Sequence, residues 1–348
     1  MKIINLQAEA NKKCGYTVIL VAELSANHGS SLEIALKSIE VAAEAGVDAV
    51  KIQTLQPEKI TLDSDSSEFK VVGGLWDGRH LIDLYKEAYT PWEWLPKLQS
   101  KAKQCGVNLF SSPFDVEAVD FLISNNVPAL KIASAEAIDV NFVRYCSSFG
   151  LPIILSSGMS TLEELEAARD IILANKCELT ILHCIADYPA EIDKMNIATI
   201  PYMKNTLHHS IGLSDHSISS HASASAVVFG VNMIEKHFSI MPANKTLDGE
   251  FSLNSSQLKT WVSEVRMFEK VLGTPNIGIK DNEVKNKKFR RSLYFIEDLN
   301  KGSIIKDEHV ASVRPANGLH PKFLKEIIGM KIRRNINKYT PVCWEDLE

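Results

Sequence analysis

No two of the six cysteines (positions 14, 105, 146, 177, 184 and 343) form a CxxC pair. That absence speaks against a zinc ribbon or a disulfide framework, so reduced thiols and a cytoplasmic setting are expected. No apolar run is long enough to span a bilayer, and the mean hydropathy is −0.05. Met1–Lys13 lacks the charged-then-apolar layout of a signal peptide. A large excess of either charge is lacking as well: a net charge of −5 provides no basic footprint for nucleic acid. What is present is ordinary globular usage, 45% hydrophobic and 23% charged over 348 residues. That length suits one large domain of about 250 residues with a small one beside it.

Eight short Val/Ile/Leu-rich runs recur along the chain: Val18–Ala22, Ala49–Ile52, Val107–Phe110, Ala129–Ile132, Pro152–Leu155, Leu179–Leu182, His209–Leu213 and Val231–Ile234. Most lack apolar–polar alternation, as strands buried on both faces do. Helical stretches lie between them. Leu32–Ala45 is amphipathic, Thr161–Ala174 opens with a Thr cap and a Glu three residues on, and Thr90-Pro91 reads as a helix start with Pro in the first position. Eight strand–helix units predict an α/β fold, a (β/α)₈ TIM barrel over residues 1–273. A doubly wound sheet has less support, because no GxGxxG follows the first strand. Residues 274–290, with Pro275 and a basic cluster at Lys285, Lys287, Lys288, Arg290 and the adjoining Arg291, read as a linker. Residues 291–348 read as a small unit of short strands that needs a surface to pack on, its own barrel or a partner subunit. Pro57–Arg79 is a long insertion after the second strand; its Gly73-Gly74-Leu75-Trp76 stretch suits a loop that covers substrate.

Barrel enzymes carry their reacting groups at the C-terminal ends of the strands. Here those ends are polar: Glu23; Lys51 and Gln53; Ser111-Ser112; Lys131, Ser134 and Glu136; Ser156-Ser157-Gly158; His183 and, beyond it, Tyr188; Ser214-Asp215-His216; and Glu235-Lys236-His237. Two lysines among small hydroxyls suit a ligand with phosphate and carboxylate groups. His216 and His237, at adjacent strand ends, suit a divalent metal with open positions that activates a carbonyl. Lys236 reads as a solvated or salt-bridged residue and His183 as a structural one. His208 and His209 fall at the wrong end of the barrel, and His221 at a helix start. A Schiff-base role for Lys51 or Lys131 stays open at this level.

The segments Ala22-Glu23-Leu24-Ser25-Ala26-Asn27-His28, Val50-Lys51-Ile52-Gln53-Thr54, Lys131-Ile132-Ala133-Ser134, Gly212-Leu213-Ser214-Asp215-His216 and Glu235-Lys236-His237-Phe238 together resemble the sialic acid synthase family. Val313-Arg314-Pro315-Ala316-Asn317-Gly318 resembles that family's C-terminal antifreeze-like (SAF, β-clip) domain. The resemblance implies condensation of phosphoenolpyruvate with an amino-sugar aldehyde and water, with phosphate leaving by C–O cleavage. It implies that Lys51, Gln53, Ser112, Lys131, Ser134, Glu136, Ser156 and Ser214 bind substrate. It implies that Glu23 and Asp248 lie by the sugar and the water, that Tyr188 lines the pocket, and that His216 and His237 hold Mn²⁺ or Mg²⁺. It further implies a domain-swapped homodimer in which Arg314 reaches the sugar from the other protomer. The Gly73–Gly78 loop, Thr90-Pro91-Trp92-Glu93-Trp94 and Gly318–Phe323 resemble the branch of the family that takes 2,4-diacetamido-2,4,6-trideoxy-L-altropyranose. Ala186 stands where sialic acid synthases often have Asn, Ala133-Ser134-Ala135-Glu136 where Gly-Ser-Gly-Glu is usual, and Ser112 where Thr is usual. These departures point away from a sialic acid product. A sister synthase making N-acetylneuraminic or legionaminic acid is the nearest alternative. A Schiff-base pyruvate aldolase and a carbohydrate- or ice-binding protein are alternatives of other classes, opposed by the strand-end histidines and by the furnished barrel mouth.

Overall fold

The computed structural model describes residues 17–348, so the readings of Met1–Lys13 and Cys14 lie outside the described residues. The chain divides into two compact units at Thr274–Pro275. In the first, eight parallel strands close into a barrel in sequence order: β1 (Ile19–Glu23), β2 (Ala49–Thr54), β3 (Asn108–Pro113), β4 (Leu130–Ile132), β5 (Ile153–Ser156), β6 (Leu179–Cys184), β7 (Ser210–Asp215) and β8 (Met233–His237). Pairing of β1 with β8, from Ile19↔Met233 to Glu23↔His237, closes the ring.

Pleat parity explains both the core and the site. Successive side chains of a strand point to opposite faces. One set, including Leu20, Val50, Ile52, Ile132, Leu155, Ile181, Leu213 and Ile234, faces outward and packs against the surrounding helices. The alternate set, Val21, Ala49, Phe110, Ala129, Ile154, Leu182 and Met233, forms a separate apolar plug inside the barrel. Two residues further along each strand the inward positions become Glu23, Lys51, Ser112, Lys131, Ser156, Cys184, Ser214 and Glu235. All of these are buried. Apolar patterning ends where the inward residues turn polar. The backbone ladder does not, and seven of the eight strands run past the ends expected from hydrophobicity.

The helices follow ordinary capping rules. Leu32–Ala45 buries Ala35, Ser38, Ile39 and Ala42 on one face; Ser31 caps its start, and it ends at Gly46 with φ 92°. Full burial of a side chain such as Ile39 contributes about 2 kcal/mol. Thr161 and Glu164 form the expected capping box on Leu162–Ala174. Thr90-Pro91 departs from expectation: it leads into a 3₁₀ turn, Trp92–Trp94, and the α-helix begins only at Leu95, with Pro96 in its first turn. Pro96 lacks an N–H that a first turn would leave unpaired anyway, so it is the proline that starts the helix. Among the described residues, no helix is long and apolar enough to cross a membrane.

In the second unit, β9 (Ser292–Phe295) pairs antiparallel with β10 (Val310–Val313). Its small core includes Leu293, Phe295, Ile305, Ile332 and Val342. Within the expected linker, Asp281–Phe289 forms 3₁₀ turns that bury no side chain.

Gly212 sits on β7 at a plug position where a Cβ would stand 2.6 Å from the Met233 carbonyl oxygen and overlap the Leu182 side chain. Gly212→Ala should therefore destabilise the barrel by about 1–3 kcal/mol, the usual range for overpacking. An unchanged denaturation midpoint would show that the plug has room there.

Candidate active site

The polar layer above the plug is a compact set of opposed charges. Lys51 Nζ lies 2.6 Å from Glu23 Oε2 and 3.6 Å from Glu235 Oε1, and donates to Ser112 Oγ at 3.2 Å. Lys131 Nζ lies 3.6 Å from the same Glu235 oxygen. Burial sets each proton affinity, and the neighbours modify it. Burial pushes Glu23 up to about 7, and Lys51 only partly offsets this. Burial would raise Glu235 too, but Lys131 and Lys51 together hold it below the usual carboxylate range. Burial would lower Lys51, yet Glu23 and Glu235 keep it above its ordinary value. Lys131 is lowered by burial, with Glu235 the main opposing influence. Two neighbouring carboxyls are thus driven apart, a division of labour common to acid–base sites. Glu235 Oε2 and Ser156 Oγ are buried without a hydrogen-bond partner. Unpaired buried atoms of this kind cost about 1–3 kcal/mol each, so a ligand that satisfies them gains by binding.

A cavity of about 390 Å³ opens above this layer. Of the residues expected in the site, Lys51, Gln53, Ser112, Lys131, Ser134, Ser156, Tyr188, Ser214, His216, His237 and Asp248 all line it. Three do not. Glu23 is fully buried behind Lys51 and acts on the cavity through that lysine. Glu136, on the 3₁₀ turn after β4, lines a neighbouring groove with Asp115 and Tyr145. Burial pushes its carboxyl up to about 7. Arg314 belongs to the second unit, where it is exposed at the end of β10.

His216 Nδ1 lies 2.8 Å from the Ile185 carbonyl oxygen, which can only accept, so this nitrogen carries a proton and Nε2 presents a lone pair in the neutral ring; burial works against protonation, but Cys184 and the Ile185 carbonyl raise the proton affinity overall. His237 is held well below its ordinary value by burial and by His216, whose ring centroid is 5.4 Å away. Its Nδ1 is buried, has no hydrogen-bond partner and stands 3.8 Å from Asp248 Oδ2. Two imidazoles with available lone pairs, one bearing an orphaned nitrogen, fit a divalent cation that draws its other ligands from water and substrate. They do not make a closed structural site: among the described residues, no cluster of three or more His, Cys, Asp or Glu is arranged around a metal position.

The insertion after β2 reaches the cavity, as the substrate-covering reading requires. A Lys70↔His80 bridge and the Val71–Arg79 hydrogen bond present Trp76, whose indole N–H donates to the Leu247 carbonyl at 3.2 Å. Trp76 stands 6.0 Å from Tyr188 and 6.1 Å from Phe251, centroid to centroid. The other polar groups near the strand ends have structural partners or positions. His183 Nε2 pairs with the Met195 carbonyl, and His221 begins a helix. Lys236 is salt-bridged, with Nζ 3.0 Å from Asp215 Oδ2, but it is fully buried and not solvated. Cys184 was not expected in the site. Its sulfur lies 3.6 Å from Ser134 Oγ and 4.0 Å from His216 Nδ1. Counting inward positions two at a time from the plug would have found it, and would have singled out Glu235 as the partner of both lysines.

Fold and site together define a (β/α)₈ barrel whose mouth is furnished with paired cations, small hydroxyls and two available imidazoles. The NeuB family pattern matches residues 38–276, and the SAF domain pattern matches residues 290–348. A pseudaminic acid synthase of Campylobacter jejuni is 44% identical over 320 residues, covering 92% of this chain and 93% of that protein. The pseudaminic acid synthase of Helicobacter pylori is 38% identical over 332 residues, covering 94% and 97%. Among solved structures, the N-acetylneuraminic acid synthetase of Leptospira borgpetersenii, in complex with citrate, matches with a TM-score of 0.70 at 28% identity, over 78% of this chain and 90% of that one. The chain belongs to the NeuB family and carries a C-terminal SAF domain.

Two outcomes follow from the buried charges. Lys236→Met leaves Asp215 buried with hydroxyl and backbone partners but no cation, and should cost about 3–5 kcal/mol in denaturant melts. A neutral effect would mean that Asp215 does not need its lysine. Glu136 is protonated in the fold up to about pH 7 but ionises near 4.5 when unfolded. Its favourable share of stability is complete below pH 4.5 and is lost as the pH rises through 7. Glu136→Gln should therefore lose less stability between pH 5 and pH 8 than wild type. Parallel profiles would contradict the shift.

Proposed function

We propose that this chain is a pseudaminic acid synthase, condensing phosphoenolpyruvate with 2,4-diacetamido-2,4,6-trideoxy-L-altropyranose and water to give pseudaminic acid and phosphate. The observation that carries the reading is the inward layer of Lys51, Lys131 and small hydroxyls beneath a cavity, in a chain 44% identical to a pseudaminic acid synthase over 92% of its length. Lys51 and Lys131, with Ser112, Ser134, Ser156 and Ser214, hold the phosphate and carboxylate of phosphoenolpyruvate. His216 and His237 would hold Mn²⁺ or Mg²⁺, which supplies Lewis acidity toward the sugar carbonyl when bound. The vinyl C3 of phosphoenolpyruvate bonds to the aldehyde carbon C1, and positive charge develops at C2. Water adds at C2, and phosphate departs with its bridging oxygen. Asp248 lines the cavity, and burial raises its carboxyl, so it suits orienting that water and taking its proton. Glu23, behind Lys51, sets the charge of the lysine floor. The same reading keeps the homodimer in which Arg314 is contributed by the other protomer.

Phosphate release from phosphoenolpyruvate should occur with the diacetamido-trideoxy altrose and fail with N-acetylmannosamine or with the acceptor of legionaminic acid synthesis. Preference for either of the latter would replace this reading with a sister synthase. In ¹⁸O water the label should enter the sugar acid and leave phosphate unlabelled. Labelled phosphate would contradict C–O cleavage. His216→Ala should lose bound metal, read by elemental analysis, together with activity.

A further inference from the structure

The cavity has two unlike halves, and the mechanism uses only one. The floor is charged. The opposite wall includes one face of the helix Leu81–Ala88: Leu81, Leu84, Tyr85 and Ala88, spaced i, i+3, i+4 and i+7, all line the cavity. An apolar stripe at that spacing ordinarily seats a helix on a hydrophobic core. Here none of the four belongs to either apolar core of the barrel unit. Asp83, Lys86 and Glu87 are exposed on the other side, so the helix is amphipathic with its apolar face turned to the ligand space. Trp76 and Phe251 extend the same surface. Such a wall gives nothing to a phosphate or a carboxylate, whose burial against it would go uncompensated. It suits a ligand that carries methyl groups.

We infer that the helix Leu81–Ala88 is the acceptor-reading element of the site, its apolar stripe receiving the C6 methyl of a 6-deoxy sugar. The inference rests on the proposed function and deepens it. The polar floor takes phosphoenolpyruvate, which all substrates share. The stripe takes the part of the acceptor that distinguishes a 6-deoxy sugar from its 6-hydroxy counterpart. A hydroxyl turned toward Leu81 and Leu84 would lose water without gaining a partner.

The test compares kcat/KM for the 6-deoxy acceptor and its 6-hydroxy counterpart in wild type, Leu84→Ser and Leu81→Ser, with KM for phosphoenolpyruvate measured alongside. Leu84 is buried, whereas Leu81 is only half-buried, so the second variant keeps the test open should the first misfold. Wild type should prefer the 6-deoxy sugar, and each folded variant should lose that preference by roughly 10-fold, the usual worth of a small apolar contact. KM for phosphoenolpyruvate should stay at the wild-type value. An unchanged preference, or a loss shared equally by both sugars and by phosphoenolpyruvate, would overturn the inference. If wild type turns over neither sugar, the proposed function fails first, and the two failures are distinguishable.

Discussion

Glu235 stands 3.6 Å from both Lys51 and Lys131, and that shared carboxylate is the constraint on which the site depends. Two ammonium groups do not stay buried side by side without an anion between them. Burial raises Glu23 to about 7, so it neutralises the lysines less completely than Glu235, which Lys131 and Lys51 hold below the usual carboxylate range. The floor is then attractive to an anion before any ligand arrives, and its lysines are already held in place. A buried ion-pair cluster is weak support for stability. The barrel ladder and the two apolar layers supply the rigidity that holds the charges together.

The division between floor and wall follows from two different periodicities. The floor comes from eight strands read every second residue, the same rule that makes the plug below it apolar. The wall comes from a helix read at three and four. Trp76 links the two, because its indole bonds to the loop after β8 and its ring approaches Tyr188, whose ring lies tilted 4.4 Å from that of His216. The insertion after β2 is therefore tied into the mouth of the barrel, and a change of acceptor needs no change in the lysines beneath.

The sequence made the eight strands legible because strands buried on both faces are dense in Val, Ile and Leu. Their ends were less legible: β3 runs on through Ser111, Ser112 and Pro113, and β8 through Lys236 and His237, with no hydrophobic signal to mark them. Lys51, Lys131, His216 and His237 were found from chemistry at strand ends, and they do line one cavity. Glu23 is expected beside the sugar, but it is fully buried in the same polar layer, paired with Lys51, and does not line the cavity. Glu136 was expected on the substrate, but the 3₁₀ turn after β4 swings it into the next groove. Cys184 is not legible as a site residue, because a cysteine following a histidine in an apolar strand looks like core. The cavity-facing stripe of Leu81–Ala88 is hidden for a similar reason, since amphipathic spacing alone does not say what the apolar face meets.

On the proposed function, the paired lysines beside Glu235 form the anion floor of the site. Calorimetric titration of phosphoenolpyruvate into wild type and into Lys131→Met tests it most directly. A charged hydrogen bond is worth about 1.5–3 kcal/mol, so affinity should fall roughly 10- to 100-fold in the variant while its fold is retained. Equal affinity in the two proteins would contradict the account.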